Sequence, residues 1–299
     1  MQRHEERRVA DIAKGRFSRS PDHMTLLGWT EILLRSAKGV QDDRVLSVAA
    51  GVAFYALLSM VPGLSVLVSV YGLFTTPTSI PSQIATFTAL LPDAARQLIE
   101  EQAIRLANQP SSSLSLTLIV SLALALWSSN AAVKVIFESL NVIYGIRETR
   151  SYLRLTIESF MFTLAGVFIA IVTLFVTAGI PSLMILLALQ PETKFVVQFL
   201  RWPLFYAPVF GAVIMLYQVG PSRRSRGIVW ILPGAIAASL VWVAASALFS
   251  WYVSTLSTYS AMYGSLATVV VLLMWLWIST IILLSGAEIC AHIEHQIRI

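Results

Sequence analysis

Charge is scarce in this chain, and cysteine is nearly absent. Asp, Glu, Lys and Arg make up 12% of the 299 residues, against 57% hydrophobic ones. Soluble domains carry about 25% charged residues, so a soluble globular class is excluded. A lone cysteine, Cys290, permits no intrachain disulfide and reads as a small packing residue. The first 23 residues hold no apolar run and no small-residue cleavage site, so no secretory signal peptide is expected. Gln2 stands where myristoylation needs glycine, and the last residues form no prenylation box. There is no Walker motif, glycine-rich phosphate loop, Ser-His-Asp arrangement or paired-cysteine cluster. The chain is therefore expected not to be an enzyme, to need no cofactor or resident metal, and not to hydrolyse ATP itself. Basic residues are not interleaved with stacking aromatics on a solvated face, so no nucleic-acid partner is expected.

What the chain has instead is length of apolar sequence. A hydrocarbon core takes about 20 apolar residues per helix. Six stretches suffice: Val45–Phe74, Leu114–Leu140, Leu155–Ala178, Trp202–Val219, Gly227–Phe249 and Ser265–Ala287. The cations sort between their two sides. Nine precede the first stretch, Arg147, Arg150 and Arg154 follow the second, Arg223, Arg224 and Arg226 follow the fourth, and Arg298 ends the chain. The alternate connections hold only Arg96, Arg105, Lys194 and Arg201, and Trp251–Gly264 holds none. That asymmetry accounts for a sequence pI near 9.5 and puts both termini in the cytoplasm. The expected fold is an all-α, polytopic membrane bundle of six transmembrane helices at 45–289. It is flanked by a cytoplasmic segment at 1–44 and a tail at 290–299.

Two accessory helices are expected. Leu26, Trp29, Leu33 and Val40 recur at helical spacing within residues 24–40, with Arg35 and Lys38 on other faces. Such a helix lies in the membrane interface or packs beneath the bundle, and the sequence leaves both open. In the external connection 75–113, Leu91-Pro92-Asp93 opens a helix through Asn108, read as a cap over the bundle's outer mouth.

Polar groups misplaced in apolar surroundings mark a candidate substrate path. Pro62 lies inside the first span and is expected to kink or break it, with Ser59 helping to satisfy the freed carbonyls and Tyr55 one turn earlier. A broken helix lines the path in many transporters, and a packing kink is the alternative. In the second span Asn130, Lys134, Glu138 and Asn141 share one face. That stripe either faces an aqueous vestibule or marks the helix's emergence into water. Tyr259 and Tyr263 sit in the uncharged external loop, as an aromatic belt or as the rim of a mouth for amphiphiles. Glu288, His292 and His295 share a face at the end of the sixth span. Without a His-Glu-x-x-His pattern they read as a solvated helix end rather than a metal set. Phe54-Tyr55-Ala56 recurs as Phe205-Tyr206-Ala207, too short a match to establish an inverted repeat.

Several of these stretches together resemble the YihY/BrkB family of bacterial inner-membrane proteins. They are Ala50 to Pro62, Trp127-Ser128-Ser129, Leu140 to Gly145, Arg150 with Arg154, and Leu232-Pro233-Gly234-Ala235. Tyr259, Tyr263 to Leu266 and Gly286-Ala287-Glu288 complete the set, and the likeness runs from about Asp43 to Ala291. Asn130-Ala131-Ala132 departs from the family pattern, where a basic residue and a glycine are more usual. The resemblance implies six helices in the inner membrane. It also implies links to serum resistance in one branch and to lipopolysaccharide precursors in another. The family has carried a ribonuclease label too, but this sequence lacks the His/Asp metal cluster that such a hydrolase needs. The expected function is transport or flipping of lipid-like envelope molecules, with membrane lipids as partners and a lipid-like substrate. The alternative is a non-transporting envelope scaffold that docks through its N-terminal segment.

Overall fold

The computed structural model describes residues 25–72, 111–186, 206–223, 227–255 and 265–297, and all of them are helix or short connection. Among the described residues seven helices follow in order. They are α1 (Leu26–Asp42), α2 (Val45–Gly72), α3 (Ser111–Ile143), α4 (Tyr152–Leu186), α5 (Tyr206–Val219), α6 (Ile228–Thr255) and α7 (Ser265–Ile297). The architecture is all-helical, as composition requires. On described residues, α3, α4, α6 and α7 are long and apolar enough to cross a membrane. α1 and the start of α2 form a fifth candidate as a bent pair, and α5 is a shorter apolar helix. The expected cap helix from Leu91-Pro92-Asp93 through Asn108 and the tyrosines Tyr259 and Tyr263 lie outside the described residues.

The first membrane helix is not broken at Pro62, where a kink or break is expected. α2 continues through Pro62, so the proline does not end it. Ser59 Oγ donates to the Ala56 carbonyl at 2.8 Å. The carbonyl that a proline at 62 leaves free belongs to Leu58, so Ser59 does not satisfy it. The discontinuity lies at Asp43-Arg44, where α1 meets α2 at 64°. Arg44 has φ +52°, a left-handed conformation usually reserved for glycine at a helix end. Asp43 N–H and Arg44 N–H bond back to the Gly39 and Gln41 carbonyls at 2.8 and 3.2 Å, which closes α1.

α1 itself is two-faced. Thr25 caps it by accepting from Gly28 N–H at 3.3 Å. Ile32 is buried against Ile293 of α7, with Trp29 and Ile289 alongside. Leu26, Leu27, Leu33 and Leu34 stay exposed. One stripe thus packs under the bundle while the other is free to meet an apolar medium.

The core collects at one end. Val45 opens α2, Phe137 and Leu140 close α3, and Tyr217 closes α5. With Ile231 and Ala235 of α6 and Leu284 and Ala287 of α7, they form one buried cluster. Glycines bring α6 and α7 into backbone contact there. A Cβ on Gly234 would lie 2.2 Å from the Gly286 carbonyl oxygen and 2.3 Å from Cys290 Sγ. α7 continues to Ile297, with Ile293, Glu294 and Gln296 buried. The expected solvated helix end is corrected accordingly: the last two turns pack on the bundle.

Candidate functional site

Halfway along α6 and α7, these two helices and α5 part around a cavity of about 900 Å³. Its walls are apolar, with Phe210 from α5, Leu240 and Trp242 from α6, and Trp275 from α7. Few polar atoms enter. Trp242 Nε1 donates to Ser279 Oγ at 3.0 Å, and Thr280 Oγ1 donates to its own helix at Leu276. Ser239 Oγ is buried and has no hydrogen-bond partner among the described residues. Leu240 and Ile236 are exposed, so the cavity reaches the outward surface of α6.

The polar end of the bundle is built differently. α3 stops in a glycine turn: Gly145 has φ +63°, its N–H bonds to Val142, and Ile146 N–H bonds to Asn141 at 2.8 Å. That turn delivers Glu148 and Arg150 beside the end of α5. Arg150 donates to both Glu148 oxygens at 2.9 and 2.8 Å, to Glu158 of α4 at 2.9 Å, and to the Gly220 carbonyl at 2.8 Å. Arg154 adds a second donor to Glu158 at 2.8 Å. Asn141 joins both connections, donating to Glu148 at 2.7 Å and accepting from Ser222 N–H at 2.7 Å. The Arg150 guanidinium holds the Glu148 carboxyl down at about 2, and the same contact raises Arg150.

A second clasp lies nearby. Arg223 makes a two-pronged ion pair with Glu294 at 2.5 and 2.6 Å, with side chains only 10% and 4% exposed. Its guanidinium also stacks 4.0 Å over the Tyr144 ring. Burial pushes the Tyr144 hydroxyl well above its usual range.

The sequence-predicted stripe on α3 does not act as a unit. Asn130 accepts from Ser159 Oγ of α4 at 2.5 Å, and Asn141 belongs to the polar end. Lys134 Nζ sits 4.5 Å over the Tyr152 ring, Glu138 is exposed, and no ion pair joins the two among the described residues. Tyr55 makes an edge contact with Phe54. Glu288 is buried against α1, and its carboxyl lies 3.6 Å from His292 Nε2. His295 stands aside, its ring centroid 6.5 Å from that of His292.

The family model described as virulence factor BrkB matches residues 36–298. The chain belongs to the BrkB family. It is 30% identical over 263 residues to the ribonuclease-like protein YfkH of Bacillus subtilis (strain 168), covering 82% of this chain and 88% of that one. A UPF0761 membrane protein of Aromatoleum aromaticum is 30% identical over 249 residues, which cover 82% of this chain and 59% of that longer one. A UPF0761 membrane protein of Aliivibrio fischeri (strain MJ11) is 27% identical over 278 residues, covering 90% of this chain and 84% of that one. No solved structure matches the chain. Relatives named as membrane proteins and several membrane-capable helices agree that this BrkB-family chain is a membrane protein.

Sequence reasoning used Arg150, Arg154 and Arg223 for topology and missed their partners. The Arg154–Glu158 spacing of four was a usable helical signal. Nothing local joins Arg223 to Glu294, which are 71 residues apart. The cavity had no sequence signal, because its lining residues are what any membrane helix presents.

Proposed function

We propose that this BrkB-family protein lies in the bacterial inner membrane with both termini cytoplasmic. In this reading it takes the acyl portion of a lipid-like molecule into the α5–α6–α7 cavity and moves it across the bilayer without hydrolysing ATP. The cavity carries the proposal. Its volume of about 900 Å³ falls within the roughly 300–1,000 Å³ typical of ligand pockets. Its apolar walls suit a hydrocarbon chain, and the unpartnered Ser239 hydroxyl offers one anchor for a polar group. Access past Leu240 and Ile236 is sideways, from the direction in which a lipid would arrive. The excess of Lys and Arg at the polar end supports placing that end in the cytoplasm.

Reconstitution in liposomes carrying a fluorescent phospholipid tests this reading. The protein should speed exchange between leaflets, and Ser239→Phe, which puts a bulky ring in the cavity, should slow it towards the rate of empty vesicles. Exchange no faster than in empty vesicles, under any ion gradient, overturns the proposal for those lipids.

A further inference from the structure

The joint between α1 and α7 contains a carboxyl group without a counter-charge. Glu288 is 1% exposed, and its Oε1 is buried with no hydrogen-bond partner among the described residues. Its Oε2 lies 3.6 Å from Nε2 of His292, an atom that is itself buried and without a hydrogen-bond partner. The carboxyl lies this close to α1 because residue 39 is glycine, where a Cβ would stand 2.5 Å from Oε2. The other charged neighbours worsen the imbalance. Asp43, at the end of α1, brings its side chain within hydrogen-bonding reach of the carboxyl, and Asp42 adds a second like charge. Arg35 of α1 and His295 of α7 border His292 instead. α2 and α6, which also pack on α7, contain no Asp, Glu, Lys, Arg or His. α3 brings only Lys134, held over Tyr152, and Glu138, which is exposed.

A buried carboxylate with no cation beside it and two acids opposite it is not a stable arrangement. It needs a small positive species. No three metal-ligating side chains converge among the described residues, whereas an imidazole nitrogen waits one helical turn away. We propose that Glu288 and His292 form a proton-binding site, with one exchangeable proton carried by the pair. Binding adds a proton to the pair and breaks no other bond. With the proton in place α1 stays seated on α7. Once it leaves, Glu288 repels Asp42 and Asp43, and α1 is pushed outward about the bend at Arg44. The site stands on its own geometry and does not depend on the lipid reading.

Infrared pH titration of the full-length protein in lipid nanodiscs, with hydrogen exchange along residues 26–42, tests the proposal. Among the carboxyl bands of the wild type there should be a titrating component that Glu288→Gln abolishes. Exchange in α1, corrected for intrinsic rates, should speed up with rising pH by up to about tenfold per unit, the limit for one linked proton. That dependence should flatten in Glu288→Gln. His292→Gln keeps the carboxyl and removes its partner, so it should move the titration without abolishing it. A carboxyl signal unchanged by Glu288→Gln, an unmoved titration in His292→Gln, or α1 exchange in the wild type with no pH dependence beyond the intrinsic one overturns the proposal.

Discussion

The polar end of the bundle and its middle are held by opposite means. At the polar end, Arg150 alone ties the α3–α4 connection, α4 and the end of α5 together, and Arg223 clamps the α5–α6 connection to α7. In the middle, the same α5 and α7 part from α6 around apolar space bridged by one indole–hydroxyl bond. Directional ion pairs and hydrogen bonds fix the connections at the end of α5, while apolar contacts line its other half along the cavity.

The comparison breaks most sharply at the Arg223–Glu294 clasp. Removing one partner leaves a buried charge uncompensated, so Arg223→Ala or Glu294→Ala should cost about 3–5 kcal/mol. Thermal unfolding in detergent would show it, and Arg223→Met with Glu294→Leu should recover most of the loss. An equally small effect from singles and double would mean the clasp does not hold this end. Next comes the α6–α7 backbone contact. Gly286→Ala would place a Cβ 2.5 Å from the Tyr217 hydroxyl and 2.8 Å from the Gly234 carbonyl oxygen. Overpacking of this kind costs about 1–3 kcal/mol and should lower the unfolding temperature, whereas Gly211→Ala, which meets nothing, should not.

A smaller effect separates the two regions by pH. Glu148 titrates at about 2 when folded and near 4.5 in the unfolded chain. Between those values the unfolded chain binds more protons, so the stability from this group is present above 4.5 and is lost as pH falls towards 2. Acid should therefore loosen the polar end first, read as hydrogen exchange in residues 141–150, and Glu148→Gln should remove that dependence. The smallest effect belongs to the α3 stripe. Lys134→Met and Glu138→Gln should be additive in a double-mutant cycle, with a coupling near zero, because the two side chains do not pair. A coupling well above about 1 kcal/mol would restore the internal pair that their spacing suggested.

The sequence alone determined the class of molecule, its apolar helices and the uneven distribution of its charges. These are properties of composition and local spacing, and no tertiary contact alters them. It also named Asn141 and Glu288 as worth attention, since charged and amide side chains are conspicuous against an apolar background, and it used Arg150 and Arg154 for topology. Tertiary structure decided which of them meet. Lys134 and Glu138 stand four apart on one helix, yet the Tyr152 ring of α4 takes the ammonium. Pro62 was expected to kink or break its helix, yet α2 runs through it, and the sharp bend forms at Arg44, where hydrogen bonds that close α1 stabilise a left-handed residue. Pairing across 71 residues and an empty volume between three helices leave no trace in local pattern. Both depend on how separate helices come to lie against one another, which only the packed bundle sets.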